Sequence, residues 1–232
     1  MTALLKATGI SKKYHPASNT PELALCSLTL EKGRTYVIKG RSGSGKTTLL
    51  NLLGGMDKPS TGSVYYNGKS FYDLSDREQS AIRNKNFGFV FQSFNLIPEL
   101  TAYENIELPR FFNRNCIITS SAISTVAEEM KIGSLLHRRT YELSGGEQQR
   151  VAIARALITS PDMIFADEPT GNLDSAASRM VADLLVKTVK SRQATLVLVT
   201  HEDNLIYSEH IQLNIRDGHV GAMEVCNGSL GI

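Results

Sequence analysis

The chain has 232 residues, enough for one large domain or two small ones with a full core. Its 25 Lys/Arg against 23 Asp/Glu leave a net charge of +2 with no basic block. That argues against sequence-independent nucleic-acid binding as the main task, because such binding needs many phosphate-neutralising cations. Cys26, Cys116 and Cys226 are widely spaced, fit no disulfide or zinc pattern, and suit a reducing cytoplasm. No apolar run of about 18 residues is present to span a bilayer, and residues 1–14 do not read as a signal peptide.

In chain order, residues 4–10 and 23–30 alternate like antiparallel strands, and Glu31-Lys32-Gly33-Arg34 reads as a tight turn. Residues 35–38 form a short β-branched and aromatic run, followed by a glycine-rich loop and a helix over 47–53. A strand over 64–67 ends at the hairpin signal Asn67-Gly68, and residues 87–91 form another strand. Helical patterns dominate from about residue 98 to 157, as in 121–130 and 147–158. Residues 163–165 and 196–199 are continuous apolar strands, as in a sheet covered on both faces, with a helix over 180–189 between them. This order predicts an α/β fold. Its mostly parallel sheet core carries an N-terminal antiparallel β portion and an inserted helical lobe. The core is expected over 1–92 and 158–232 and the lobe over 93–157, as a single nucleotide-binding domain.

Gly40-Arg41-Ser42-Gly43-Ser44-Gly45-Lys46-Thr47 matches the phosphate-loop pattern in full. Glycines let backbone N–H groups converge on phosphate oxygens, and the following helix N-terminus favours anions. Lys46 is expected to reach the β- and γ-phosphates of ATP, and the Thr47 hydroxyl to bind Mg²⁺. A chance glycine-rich turn lacks the strand before and the helix after.

Two acidic residues, Asp167 and Glu168, close the apolar strand that begins at Met163. Alone, such a pair before Pro169 reads as an exposed turn. Beside a phosphate loop, Asp167 is expected to hold Mg²⁺ and Glu168 to orient and deprotonate the attacking water. His201 follows the strand over 196–199 and is placed to hydrogen-bond the γ-phosphate and the water. Gln92 follows the strand over 87–91, and its amide can touch both metal and water. Each of these two is a weak signal alone; His201 by itself reads as a surface or capping residue.

Leu143-Ser144-Gly145-Gly146-Glu147-Gln148 precedes a strong helical stretch, and Ser144 with Glu147 fits a capping box. A well-capped helix start explains the residues structurally. The two glycines also expose N–H groups to an anion, and one nucleotide hardly needs two such helix ends from one chain. A head-to-tail, two-fold dimer with two ATP molecules between its subunits resolves this.

Taken together, Gly40 to Thr47, Gln92, Leu143 to Gln148, Ile164 to Glu168, Asn172-Leu173-Asp174 and His201 resemble the nucleotide-binding subunit of ABC transporters over nearly the whole chain. The resemblance implies that Tyr14 stacks on adenine and that Gly40 to Thr48 hold the phosphates. Gln92 would lie in the loop coupling to the membrane partner. Ser144, Gly145, Gly146 and Gln148 would contact the opposite subunit's ATP, and Asp174 would lie in a loop crossing the dimer interface. It further implies an ATPase at the cytoplasmic face of a membrane, bound to a separate permease and to a second copy of itself. Ala166 to Asp174 and Asn105-Ile106-Glu107-Leu108-Pro109 look like the lipoprotein-release, macrolide-exporter and antimicrobial-peptide-exporter group. Lys39, Glu202 and residues 111–121 depart from the usual pattern, and no appended domain is expected after Asp217-Gly218. The rival classes are a soluble ABC protein of DNA repair or translation and a slow regulatory ATP sensor. The repair class needs a long coiled coil and the translation class a second cassette. The full catalytic set disfavours the sensor.

Overall fold

A computed structural model describes residues 3–15, 20–112, 117–202 and 205–227. The chain forms two compact units, Met1–Ser80 with Thr195–Ile232, and Ala81–Ala194. The first unit opens with β1 (Ala3–Lys12), β2 (Leu23–Glu31), β3 (Thr35–Lys39), α1 (Lys46–Leu53), β4 (Thr61–Tyr66) and β5 (Lys69–Ser70). After α2 (Asp76–Asn86), the second unit holds β6 (Phe87–Phe91), α3 (Ala102–Glu107), α4 (Ser120–Glu129), α5 (Gly145–Leu157), β7 (Met163–Asp167) and α6 (Ser175–Ser191). The chain returns to the first unit as β8 (Thr195–Val199), β9 (His210–Arg216) and β10 (His219–Cys226).

The first unit carries an antiparallel sheet in the order β2-β1-β4-β5. It also carries a parallel ladder in which β3 lies between β8 and β9. Every residue of β8 is buried, which suits an all-apolar run covered on both faces. Helix α1 has only eight residues and would be marginal alone. Burial of Leu49, Leu50, Leu52 and Leu53 holds it in place, at roughly 1.5–3 kcal/mol for each leucine. It ends at Gly54, whose N–H donates to the Leu50 carbonyl at 2.8 Å.

In the second unit β6 and β7 run parallel, with Phe91 paired to Asp167. Phe89 stacks on Phe165 with ring centroids 5.5 Å apart, and Phe87 meets the same ring edge-on at 5.3 Å. Thr101, Thr119, Ser144 and Asp174 cap α3, α4, α5 and α6 with their side chains. The helical segment expected over residues 93–157 falls within this unit, which also contains β6 and β7.

Besides the two-residue β5, four elements receive no bounds in the sequence reading, α3 among them although it lies in the stretch read as helical. Helix α2 buries no residue, so no apolar stripe announces it. Its signal is the box made by Ser75 and Glu78, where the Ser75 N–H donates to the carboxylate at 2.9 Å. Helix α3 carries the same box at Thr101 and Glu104. Strands β9 and β10 form an antiparallel hairpin around Asp217 and Gly218, both at positive φ. Among the described residues, no helix is long and apolar enough to cross a membrane.

Candidate active site

The phosphate loop links β3 to α1, in the first unit. Gly45 stands at φ +100° as the N-cap of α1, and a Cβ there would lie 2.4 Å from the Glu22 carbonyl. Only glycine fits that backbone and that approach. No side chain caps α1, so its positive end meets no competing acceptor from a capping residue. Lys46 is buried, and its Nζ donates to the Gly40 and Arg41 carbonyls, at 3.0 Å each. The cation thus spans the loop that it serves. Thr47 is exposed at the first turn. The loop residues Gly40, Arg41, Ser42, Gly43 and Ser44 line one side of a cleft of about 470 Å³, opposite Asn214 to Asp217 of β9 and its turn.

His201 belongs to the same unit. Ile38 of β3 pairs with Val199 of β8, and the Thr200 N–H donates to the Ile38 carbonyl at 3.2 Å. Gly40 and His201 therefore leave neighbouring strands at the same end. Tyr14 is half-exposed beside α1, with Lys12 Nζ 4.8 Å from its ring centroid. Its hydroxyl is hydrogen-bonded to Asp57 and to Thr48. Burial, then the Asp57 carboxylate, pushes the phenol pKa up. Burial pushes the Asp57 carboxyl up too, but hydrogen bonds from Lys12 and Tyr14 outweigh it and bring it below its ordinary value. The Lys12–Asp57 ion pair at 2.7 Å, which the sequence reading gave no role, thus anchors Tyr14 next to the phosphate-loop helix.

In the second unit, the pairing of Phe91 with Asp167 brings Gln92 and Glu168 to the same end of adjacent strands. Glu168 sits at φ +45°. A left-handed conformation in a non-glycine residue is uncommon and clusters at functional sites. The Gly171 N–H closes the following turn on the Glu168 carbonyl at 3.1 Å. Gln92 Nε2 donates to Asn172 Oδ1 at 3.1 Å, and Asn172 Nδ2 donates back to the Gln92 carbonyl at 3.0 Å. Beyond Gln92, Phe94 and Asn95 both have positive φ. Arg155 of α5 holds them, donating to their carbonyls at 3.0 and 2.6 Å.

Ser144 begins α5 with a complete capping box. The Glu147 N–H donates to Ser144 Oγ at 3.4 Å, and the Glu147 carboxylate accepts from the Ser144 N–H and Oγ, at 2.8 Å each. Those bonds hold the Glu147 carboxyl below its ordinary pKa, the backbone donor contributing most. Gln148 Nε2 donates to the Leu143 carbonyl at 2.9 Å. Ser144, Gly145, Gly146 and Asp174 line one cleft of about 400 Å³ in this unit. Asp174 also caps α6, accepting from the Ala176 and Ala177 N–H groups at 3.0 and 2.9 Å.

A phosphate loop opening α1, an acidic pair closing an apolar strand, and a glycine helix start at Ser144 are now in place. The ABC transporter family model matches residues 23–171 of this chain. The chain belongs to the ABC transporter family. A curated relative, the lipoprotein-releasing system ATP-binding protein LolD of Psychrobacter arcticus, is 44% identical over 223 residues, covering 94% of this chain and 98% of the relative. The macrolide export ATP-binding/permease protein MacB of Bdellovibrio bacteriovorus is 38% identical over 95% of this chain, but this chain covers only 34% of that protein. A solved dimeric structure of MJ0796, a bacterial ABC transporter cassette, superposes with a TM-score of 0.86 at 37% identity, covering 97% of this chain and 100% of that one. A second MJ0796 dimer, in a post-hydrolysis state with ADP and Pi, gives 0.85 at 38% identity. The α/β fold of ABC type and the ATPase class expected from the sequence therefore hold.

Proposed function

We propose that the chain is the ATP-hydrolysing motor of a membrane transporter. Two copies would clasp two ATP molecules and act on a separate permease at the cytoplasmic face of the membrane. What carries this reading is the phosphate loop, with an uncapped α1 behind it and Lys46 held across it. The likeness to LolD over almost its full length supports the transport role, and leans the cargo toward lipoprotein release or the export of a peptide or antibiotic.

The Thr47 hydroxyl, the Asp167 carboxylate and the Gln92 carboxamide oxygen are hard oxygen donors, a set that fits Mg²⁺. When bound, the ion would offset charge on the β- and γ-phosphate oxygens. Glu168 would take a proton from the attacking water as it adds to the γ-phosphorus, the bond to the ADP oxygen breaking to release phosphate. His201 would hold the γ-phosphate and that water, and Lys46 would turn from its loop carbonyls to the phosphates. Tyr14 would stack on adenine, while Ser144, Gly145, Gly146 and Gln148 would face the ATP of the second copy. Asp174 would lie where the two copies cross.

A tagged Glu168→Gln chain with ATP and Mg²⁺ should co-purify a permease from detergent-solubilised source membranes. A few-span permease with a large outer domain is expected. Ribosomal or DNA-bound partners, with no membrane chain, would overturn the transport reading.

A further inference from the structure

Asn172 stands in the Asn172-Leu173-Asp174 motif, yet the sequence gives it no task. In the structure it fixes the polarity of Gln92. A backbone carbonyl can only accept, so the end of Asn172 that faces the Gln92 carbonyl must be its NH₂ group, at 3.0 Å. That leaves Asn172 Oδ1, also only an acceptor, against the Gln92 side chain. The atom of Gln92 that meets it must then be Nε2, at 3.1 Å. The Gln92 oxygen is consequently turned away from Asn172. An unheld glutamine amide presents either end, because its oxygen and nitrogen are nearly isosteric. Gly171 makes the arrangement possible, since a Cβ there would lie 2.8 Å from Gln92 Nε2 and 3.1 Å from its Cδ. The backbone of the same loop is pinned by Arg155 at Phe94 and Asn95.

We infer that Asn172 is a positioning residue that presents the oxygen of the Gln92 carboxamide, rather than its NH₂ group, to a bound divalent metal ion. This rests on the reading of Gln92 as an oxygen ligand of Mg²⁺. Asn172 touches no metal itself. It selects between a ligand that attracts a cation and one that repels it, as a partner behind a metal ligand generally does.

The test uses the full chain with a β,γ-imido ATP analogue, so that turnover plays no part, and Mn²⁺ as the probe, its free fraction read by electron paramagnetic resonance. Removing a partner behind a ligand typically weakens metal binding about 10–100-fold. Asn172→Ala should therefore raise the Mn²⁺ dissociation constant by roughly the lower end of that range. Gln92→Ala should raise it at least as far, and the double variant no further than Gln92→Ala alone. Affinity for the analogue in excess chelator should be unchanged, which a disordered loop would alter. Asn172→Asp keeps the acceptor for Nε2 but sets an oxygen against the Gln92 carbonyl, and should fall between wild type and Asn172→Ala. If Gln92→Ala weakens Mn²⁺ and Asn172→Ala does not, the positioning role is wrong. Additive effects in the double variant would equally overturn it. No effect of Gln92→Ala would instead refute the metal reading of Gln92.

Discussion

Helices α1 and α5 both begin at glycine-rich segments that face phosphate in the proposed mechanism, yet they begin in opposite ways. The N-cap of α1 is a left-handed glycine with no side-chain cap, and a buried lysine follows at its first position. The N-cap of α5 is a serine in a complete capping box, with the Glu147 carboxylate in its first turn. One end is built to receive negative charge, from its dipole and from Lys46. The other has already taken a negative charge of its own. Its remaining contribution is the Gly145 and Gly146 backbone, and the Ser144 hydroxyl only once its proton leaves Glu147. In the proposed mechanism such an end is half of a site whose other half comes from a second copy.

The largest effect is expected at neither helix but at Glu168, which follows β7. Glu168→Gln should lower turnover by about 10²–10⁴-fold, the usual worth of a general base, while ATP binding persists. Near-normal turnover in a phosphate-release assay would remove Glu168 from that role. Next comes Lys46→Ala, which should weaken ATP binding to the isolated chain by roughly 10–100-fold, the loss of charge-assisted bonds worth about 1.5–3 kcal/mol. Ser144→Ala should contrast with it. Removing that cap should cost about 1 kcal/mol of stability and slow turnover. It should leave ATP affinity of the isolated chain unchanged by calorimetry, because Ser144 serves another copy's nucleotide. Equal loss of affinity in both variants would erase the distinction between the two helix ends.

The smallest expected effect concerns pH. Glu147 has a folded pKa below its ordinary value, so its contribution is complete above the ordinary carboxylate range and is lost as pH falls through the lowered value. Glu78 and Glu104, held by the same kind of box, act in the same direction. Stability by urea titration should fall below about pH 4.3, and Glu147→Gln should fall less steeply. A steeper fall in that variant would contradict the assignment.

Much of this was legible in the sequence because it is local. The strand over 87–91 has the ends expected from the sequence, and the phosphate loop is one uninterrupted segment. Helix α2 escaped because it buries nothing, and hydrophobic periodicity cannot report a helix without a core face. Strand β9 mixes buried Leu213 and Ile215 with exposed Asn214 and Arg216. Asp217 and Gly218, both at positive φ, turn β9 into β10, a hairpin the sequence reading does not name. Asn172 escaped for a different reason. Its partner Gln92 lies 80 residues away, and only the parallel pairing of β6 with β7 brings the two together. Likewise the tie between Tyr14 and Asp57 exists only after β1 has folded beside α1. Residue type and spacing announce which groups can do chemistry. Which atom of each group is held forward depends on tertiary contacts.

In the proposed mechanism this ATPase completes its sites with a second copy. Light scattering of Glu168→Gln, with and without ATP and Mg²⁺, tests it directly. A monomer that becomes a dimer when ATP is added is expected, and a Ser144→Arg change in the same chain should bind ATP and stay monomeric. A chain that binds ATP fully and remains monomeric without the Ser144 change would contradict it.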